Sequence, residues 1–326
     1  MSLGTTNNSP QRHSDHETNL GYAYVFAAAQ IEQELHDMLD PFEASLQVAS
    51  LVGDASQSGS DVLRVTYIGG VGMQRTMTAL ASETDAAPLA SIRTGYSSLT
   101  VAPYGIADSE TYFQQALNRE PAVSLDAIVA QTPGTVAATI RNQICAQGAA
   151  ITANTAGAAG TQLSVDDMLD LMALARSAFA RGPLTGMVHP KQINDLIESM
   201  RAEPGFQGSA ADFERATSLP IGVQVVPNVL GLRLTLGITG DVDTSGGAHM
   251  GFVTDPGGIG WGRASTAPVR PANTVGAIYI PEFGVLIEES MSAQNNQQRR
   301  VNAYAYLGFA LADSSVKFQS ILRSVT

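Results

Sequence analysis

The side chains best suited to chemistry are few and scattered along the chain. His13 and His16 stand three apart, with Asp15 and Glu17 beside them. On a helix that spacing would turn both imidazoles to one face, where they could share a metal ion. The same residues also fit a charged, solvated terminal arm, which is the expectation here. Asp241-Val242-Asp243-Thr244-Ser245-Gly246 matches the opening half of a calcium loop, with oxygen ligands at alternate positions and Gly at the sixth. Its twelfth position is Phe252 rather than a bidentate carboxylate, so an exposed loop is expected, with a weak divalent-ion site as the alternative. His189 precedes Pro190 at the end of an apolar run, with no Ser or Cys nearby in sequence to activate, and reads as a structural histidine. Cys145 falls in an Ala-rich helical stretch, where a small buried thiol is expected rather than a nucleophile.

Phosphate and acyl-transfer motifs are absent. A P-loop needs Gly-Lys-Ser/Thr, but the two lysines, Lys191 and Lys317, follow Pro190 and Val316. No G-x-S-x-G elbow occurs. The glycines of Asp255-Pro256-Gly257-Gly258-Ile259-Gly260-Trp261-Gly262 lack dinucleotide-loop spacing and predict a turn or bulge. No residue is therefore assigned a catalytic, cofactor-binding or metal-binding role.

Composition narrows the class. A chain of 326 residues exceeds what one core comfortably holds, so two domains, or one with large excursions, are expected. Charged residues make up 15% of it, against about 25% in ordinary globular proteins. The formal net charge of −12 disfavours sequence-independent binding to phosphate backbones. A single cysteine excludes an internal disulfide, the first residues lack the apolar core of a signal peptide, and apolar runs are interrupted by Gln30, Glu32, Arg141 and Asn142 before they reach membrane-spanning length. The expectation is a soluble, unexported, anionic protein.

The elements that must position these residues follow from periodicity and punctuation. Val25, Ala28, Ile31, Leu35, Met38 and Phe42 mark one face of a helix, and Asp40-Pro41-x-Glu43 predicts a second, short helix to about Leu51, with a turn over 53–60. Alternation at Leu63, Val65 and Tyr67, and again at Leu99 and Val101, predicts two strands. The polar, glycine-containing stretch between them, 69–95, is too long for a tight hairpin and predicts a projecting arm. Ser109 is expected to cap a short helix through Leu117. A helical run from Ser124 to Val129 is expected to break at Thr132-Pro133-Gly134 and restart as a spine of about 30 Å reaching Thr152. Ala153–Gly160 is the candidate domain junction.

Ser164 and Asp167 form a capping box ahead of Val165, Met168, Leu169, Met172, Ala175 and Phe179, predicting a helix that ends at Gly182-Pro183. A strand over 185–189 and a helix opened by Pro190, carrying Ile193, Leu196, Ile197 and Met200, come next. Strands are then expected at 221–226, 232–236, 250–254, 275–280, 283–289, 301–312 and 316–322.

This order resembles the major capsid protein of tailed bacteriophages, the Hong Kong 97 type fold shared with encapsulins. The resemblance is carried by Ser164 to Pro190 with the following helix, similar to the opening of that family's axial domain, and by Arg299-Arg300-Val301-Asn302-Ala303-Tyr304-Ala305-Tyr306-Leu307-Gly308-Phe309, similar to its late peripheral strand. It implies an α+β fold with an N-terminal arm (1–20), N-terminal helices (21–53), an extended loop (54–102), a peripheral domain with its spine helix (103–158), an inserted axial domain (159–264) and peripheral return strands (265–326).

What the resemblance implies about function is a non-enzymatic shell protein assembling into hexamers and pentamers of an icosahedral head, built in the host cytoplasm and residing in the virion. Implied partners are other copies of the chain, a separate scaffolding protein, a portal, a cement protein in some cases, and packaged double-stranded DNA without sequence-specific contacts; no membrane and no cofactor are implied. An arm ending before Leu20 is too short for a fused scaffold, so no large N-terminal cleavage is expected. Some family members lock their shells through a lysine in the extended loop, but residues 54–102 contain none, so a shell without covalent loop crosslinks is expected. A low charged fraction suits a subunit that covers much of its surface with neighbours, and a negative wall does not trap DNA during filling. Two alternatives stand beside this reading: an encapsulin-like compartment, and a soluble cytosolic α+β enzyme with His189 and Asp195 as its acid/base pair.

Overall fold

The computed structural model describes residues 45–68, 94–111, 121–178, 180, 184–202, 225–229, 232–236, 248–267, 274–291 and 298–325, together with 29 and 33, which are helical. The arm with His13 and His16, the 69–93 stretch and the 241–246 loop lie outside the described residues. In chain order the strands are β1 (Ala49–Asp54), β2 (Val62–Ile68), β3 (Thr94–Thr100), β4 (Ala102–Thr111), β5 (Thr155–Ala156), β6 (Leu184–Val188), β7 (Val225–Val229), β8 (Leu232–Leu236), β9 (Ala248–Thr254), β10 (Ile259–Arg263), β11 (Thr274–Ile280), β12 (Val285–Met291), β13 (Gln298–Leu311) and β14 (Gln319–Val325). The helices are α1 (Ala55–Ser58), α2 (Pro121–Ala149), α3 (Val165–Ser177) and α4 (Pro190–Ala202).

One sheet runs β1-β10-β13-β12-β11, with β4 also paired to β13. Its organising strand is β13, which lies antiparallel to β12, β4 and β10. Alternation sends Val301, Ala303, Ala305 and Leu307 into one core, shared with Val136, Ala137, Ile140 and Ile144 of α2. Asn302, Tyr304 and Tyr306 take the opposite face.

The second sheet runs β5-β14-β9-β6-β8-β7, and its strands β6, β9 and β14 are covered on both sides. Met187, Phe252 and Ile321 turn toward the α2 core, while their neighbours Val188, Val253 and Leu322 turn to a second core built with Met168, Leu171 and Ala175 of α3 and with Ile193 and Leu196 of α4. Burial on both faces accounts for consecutive apolar residues at Met187-Val188, Phe252-Val253 and Ile321-Leu322.

Several expectations are corrected. The segment predicted to be helical up to Leu51 is a 3-10 turn, Ser45–Val48, followed by β1, because parallel pairing with β10 and burial of Leu46, Val48 and Ala49 outweigh local helix signals. The turn expected at 53–60 includes the one-turn helix α1, capped by Asp54. Ser109 lies inside β4, opposite Arg300, and caps no helix, since β4 is paired with β13 along its whole length. The spine does not break at Pro133; α2 is continuous over 29 residues, about 43 Å at 1.5 Å per residue. A proline inside a helix costs about 3 kcal/mol, and the burial of Val136, Ala137, Ile140 and Ile144 along one face outweighs it.

The glycine-rich 255–262 segment divides: Asp255–Gly258 is a turn, as expected, but Ile259–Arg263 is a central strand. The capping box of α3 is present, with the Asp167 N–H donating to Ser164 Oγ at 3.2 Å and the Ser164 N–H donating to Asp167 Oδ2 at 2.8 Å. That helix ends at Ser177, before Gly182, and its buried face carries Leu171 while Leu169 is exposed. Finally, β10, within 159–264, belongs to the first sheet, and β14, within 265–326, belongs to the second.

Candidate functional site

The hairpin of β2 and β3 is in register with Leu63 opposite Leu99. These two side chains face inward and pack on Ala310. Their seat exists because the cross-strand partners Gly262 and Gly308 carry no side chain. A Cβ on Gly262 would sit 2.5 Å from Leu63 Cδ1 and 2.7 Å from Leu99 Cδ2, and one on Gly308 would sit 2.2 Å from the Thr100 carbonyl oxygen. The Val101 N–H donates to the Asp61 carbonyl at 2.8 Å and closes the root. Below it, Asp54 Oδ1 accepts from the Ser56 N–H at 2.9 Å and from the Ser265 N–H at 3.0 Å, tying α1 to the segment after β10. Burial raises the Asp54 carboxyl, but these bonds from Ser265 and Ser56 outweigh it and hold the group below its usual value.

The hairpin's other face is open to solvent. Val62, Arg64, Thr66, Tyr96, Ser98 and Thr100 are all exposed, and the Arg64 guanidinium lies 3.9 Å from the centre of the Tyr96 ring. Tyr96 keeps 61% of its surface exposed, far more than a ring of that size shows in a core. A seated root below and an uncovered aromatic–cation face above make this hairpin a candidate contact surface.

The outer face of the first sheet carries a buried polar cluster that sequence reading missed. The Asn302 side-chain amide donates to Glu288 Oε1 at 3.0 Å and to Ser290 Oγ at 2.9 Å. Burial, and then the Glu288 charge, push the Tyr304 hydroxyl up; burial, Tyr304 and Glu288 do the same to Tyr306. Tyr279 is pushed up to about 12, chiefly by burial. Raised phenols are protonated near neutrality and serve as hydrogen-bonding groups, not bases.

The proposed enzyme residues do not form a dyad. His189 Nδ1 accepts the Lys191 N–H at 3.1 Å, and Asp195 Oδ1 accepts from Lys191 Nζ at 2.9 Å, so both are bonded to Lys191 and neither to the other. His189 is 5% exposed. Its ring stacks on His249, with centroids 3.7 Å apart and planes within 10°. Cys145 is buried in the α2 core, as expected. Lys317 Nζ donates to the Pro256 carbonyl at 2.6 Å, so both lysines are engaged within the chain. Among the described residues no cluster of three or more His, Cys, Asp or Glu is arranged to hold a metal ion, and no helix is long and apolar enough to cross a membrane.

No protein-family model matches the sequence, and no curated protein matches it. Solved structures match it in fold. The capsid structure of the cyanophage P-SCSP1u aligns with a TM-score of 0.56 at 11% identity, covering 86% of this chain and 87% of that one. The head structure of Helicobacter pylori bacteriophage KHP40 aligns at 0.53 and 9% identity, covering 84% and 86%. A structure from Gordonia phage Cozz aligns at 0.52 and 14% identity, covering 87% of each. The mixed helix-and-sheet architecture of this chain, over 84–87% of its length, is thus the fold of phage capsid structures.

Proposed function

We propose that this chain is a structural, non-enzymatic subunit of a bacteriophage head, found in the virion. The observation that carries the reading is the likeness of nearly the whole chain to phage capsid and head structures. Within it we assign the Hong Kong 97 type parts: an extended loop rooted in β2 and β3, a spine in α2, a peripheral body around the first sheet and an axial body around the second, with β10 and β14 each crossing to the other body. Other copies of the chain are its principal partners, in hexamers and pentamers enclosing double-stranded DNA, with a scaffolding protein, a portal and in some cases a cement protein. The exposed Arg64–Tyr96 face supports the loop's role as a contact surface.

The test is negative-stain imaging and size-exclusion of the purified chain, alone and with the neighbouring gene products of its genome. Closed shells or hexameric and pentameric capsomers are the expected result. A small discrete oligomer under every condition would refute the reading, and shells that enclose protein in place of DNA would assign an encapsulin-like compartment.

A further inference from the structure

The stacked histidines lie at the start of α4, where three elements meet. His189 is the residue before Pro190, which opens the helix without an N–H of its own, so the first backbone donor to be satisfied is that of Lys191. His189 Nδ1 accepts it at 3.1 Å, and in return the His189 N–H donates to Gln192 Oε1 at 3.1 Å. This is a reciprocal cap in which an imidazole stands where Ser, Thr or Asp usually stands. Gln192, wholly buried, uses its amide nitrogen to donate to the His249 carbonyl of β9 and the Leu322 carbonyl of β14, each at 3.1 Å. It fits because Gly251 is bare: a Cβ there would lie 2.7 Å from Gln192 Oε1.

We propose that His189, stacked on His249, is a proton-sensitive latch that joins the N-terminus of α4 to β9 and β14 and opens when His189 takes up a proton. Only a neutral ring with a bare Nδ1 can accept the Lys191 N–H; a proton on that atom sets two donors against each other at 3.1 Å. The charge would also stand at the positive end of the α4 dipole, against a second imidazole 3.7 Å away. In the neutral form the proton resides on Nε2, which is buried without an acceptor, as is Nδ1 of His249, so the site is already unfavourable for its ring nitrogens.

Among the described residues the charged groups around the site do not compensate: on α3, which packs against α4, Asp166, Asp170 and Arg176 are exposed and Asp167 is held in the capping box. On α4 the described ones are Lys191, Asp195 and Glu198; the Asp195 carboxylate is paired with Lys191. From β9 the facing group is His249. On β14 Arg323 is exposed and alternates away from the buried Ser324, β6 has no charged residue, and Arg233 of β8 is paired with Thr185, toward the far end of β6. Burial first, and His249 second, hold His189 below the ordinary imidazole value of 6.5. Because the folded value is the lower one, the latch contributes its full stability above about pH 6.5 and loses it as pH falls from there through the folded value.

The latch belongs to the single chain and does not rest on the shell reading. Hydrogen exchange of peptides covering 189–196, corrected for intrinsic rates, tests it at pH 7.5, 6.5 and 5.5. Protection in the wild-type chain should fall about fivefold toward pH 5.5, as expected from losing one helix cap. His189→Asn, whose side-chain oxygen accepts the Lys191 N–H at every pH, should stay flat, and His249→Phe, which keeps a stacked ring without charge, should move the wild-type midpoint upward. Parallel loss of protection in wild type and His189→Asn would overturn the proposal. If either variant does not fold, the imidazole carbon resonances of wild-type His189 decide: a titration midpoint at or above 6.5 overturns it, and one below supports it.

Discussion

Two glycines of α2 set up an internally controlled test of how the spine seats against the second sheet. Among the described residues nothing stands within 4 Å of where a Cβ on Gly134 would be, whereas a Cβ on Gly148 would lie 2.1 Å from Cδ1 and 2.3 Å from Cε1 of Phe252. Ala is favoured over Gly in a helix interior by about 1 kcal/mol, so Gly134→Ala should stabilise by up to that amount. Gly148 lies in the last turn of α2 and gains at most that propensity, and the ring lies well over 1 Å inside ordinary carbon–carbon contact of about 3.5–4.0 Å. Phe252 is buried in the core and cannot swing into solvent. Overpacking of this kind costs about 1–3 kcal/mol, and the depth of the overlap puts it in the upper half of that range. The net prediction for Gly148→Ala is a loss of about 1–2 kcal/mol, so the two variants should differ by about 2–3 kcal/mol. Urea midpoints at fixed slope, supported by Tm values separated on the order of 5 °C, would report it. In a Phe252→Leu background the penalty of Gly148→Ala should shrink by about 1 kcal/mol or more, as coupled neighbours require. Equal stabilisation by both alanines would refute the reasoning and mean that α2 does not seat on β9 through Gly148.

Leu99→Ala should cost about 2–5 kcal/mol at the hairpin root, seen as faster amide exchange in β2 and β3 while β12 and β13 stay protected; deleting 70–92 should leave a chain that folds but does not build normal shells. Asp54→Ala should cost about 1 kcal/mol at neutral pH through loss of the cap. Because the folded Asp54 carboxyl lies below its usual value, its contribution is present above about pH 3.8 and vanishes as pH falls through the folded value, so acid titration of stability should converge for wild type and variant. Assembled particles boiled in denaturing detergent should release one band near 34.1 kDa, since residues 54–102 contain no lysine to supply a loop amine; a ladder surviving reductant would reveal a crosslinking chemistry.

Several features were legible from signals in adjacent residues. The Ser164–Asp167 capping box, the start of α4 at Pro190, the alternation of β2 and β3, and β11 to β14 were legible because caps and strand periods depend on neighbours one to four positions away. Other features depend on partners remote in the chain. β1 is a strand because β10, about two hundred residues later, pairs with it, and β10 is a strand despite its glycines because β13 lies on its other side. Pro133 fails to stop α2 because sheet contacts along the helix outweigh a local defect. The bare Gly262 and Gly308 acquire meaning only when Leu63 and Leu99 arrive above them. His189 was legible as structural, but not as one half of a stacked pair: His249 is sixty positions away, and the β6–β9 pairing, with Gln192 reaching to the His249 carbonyl, is what brings the two rings together. Local signals propose elements, and free energy released between distant ones selects among them.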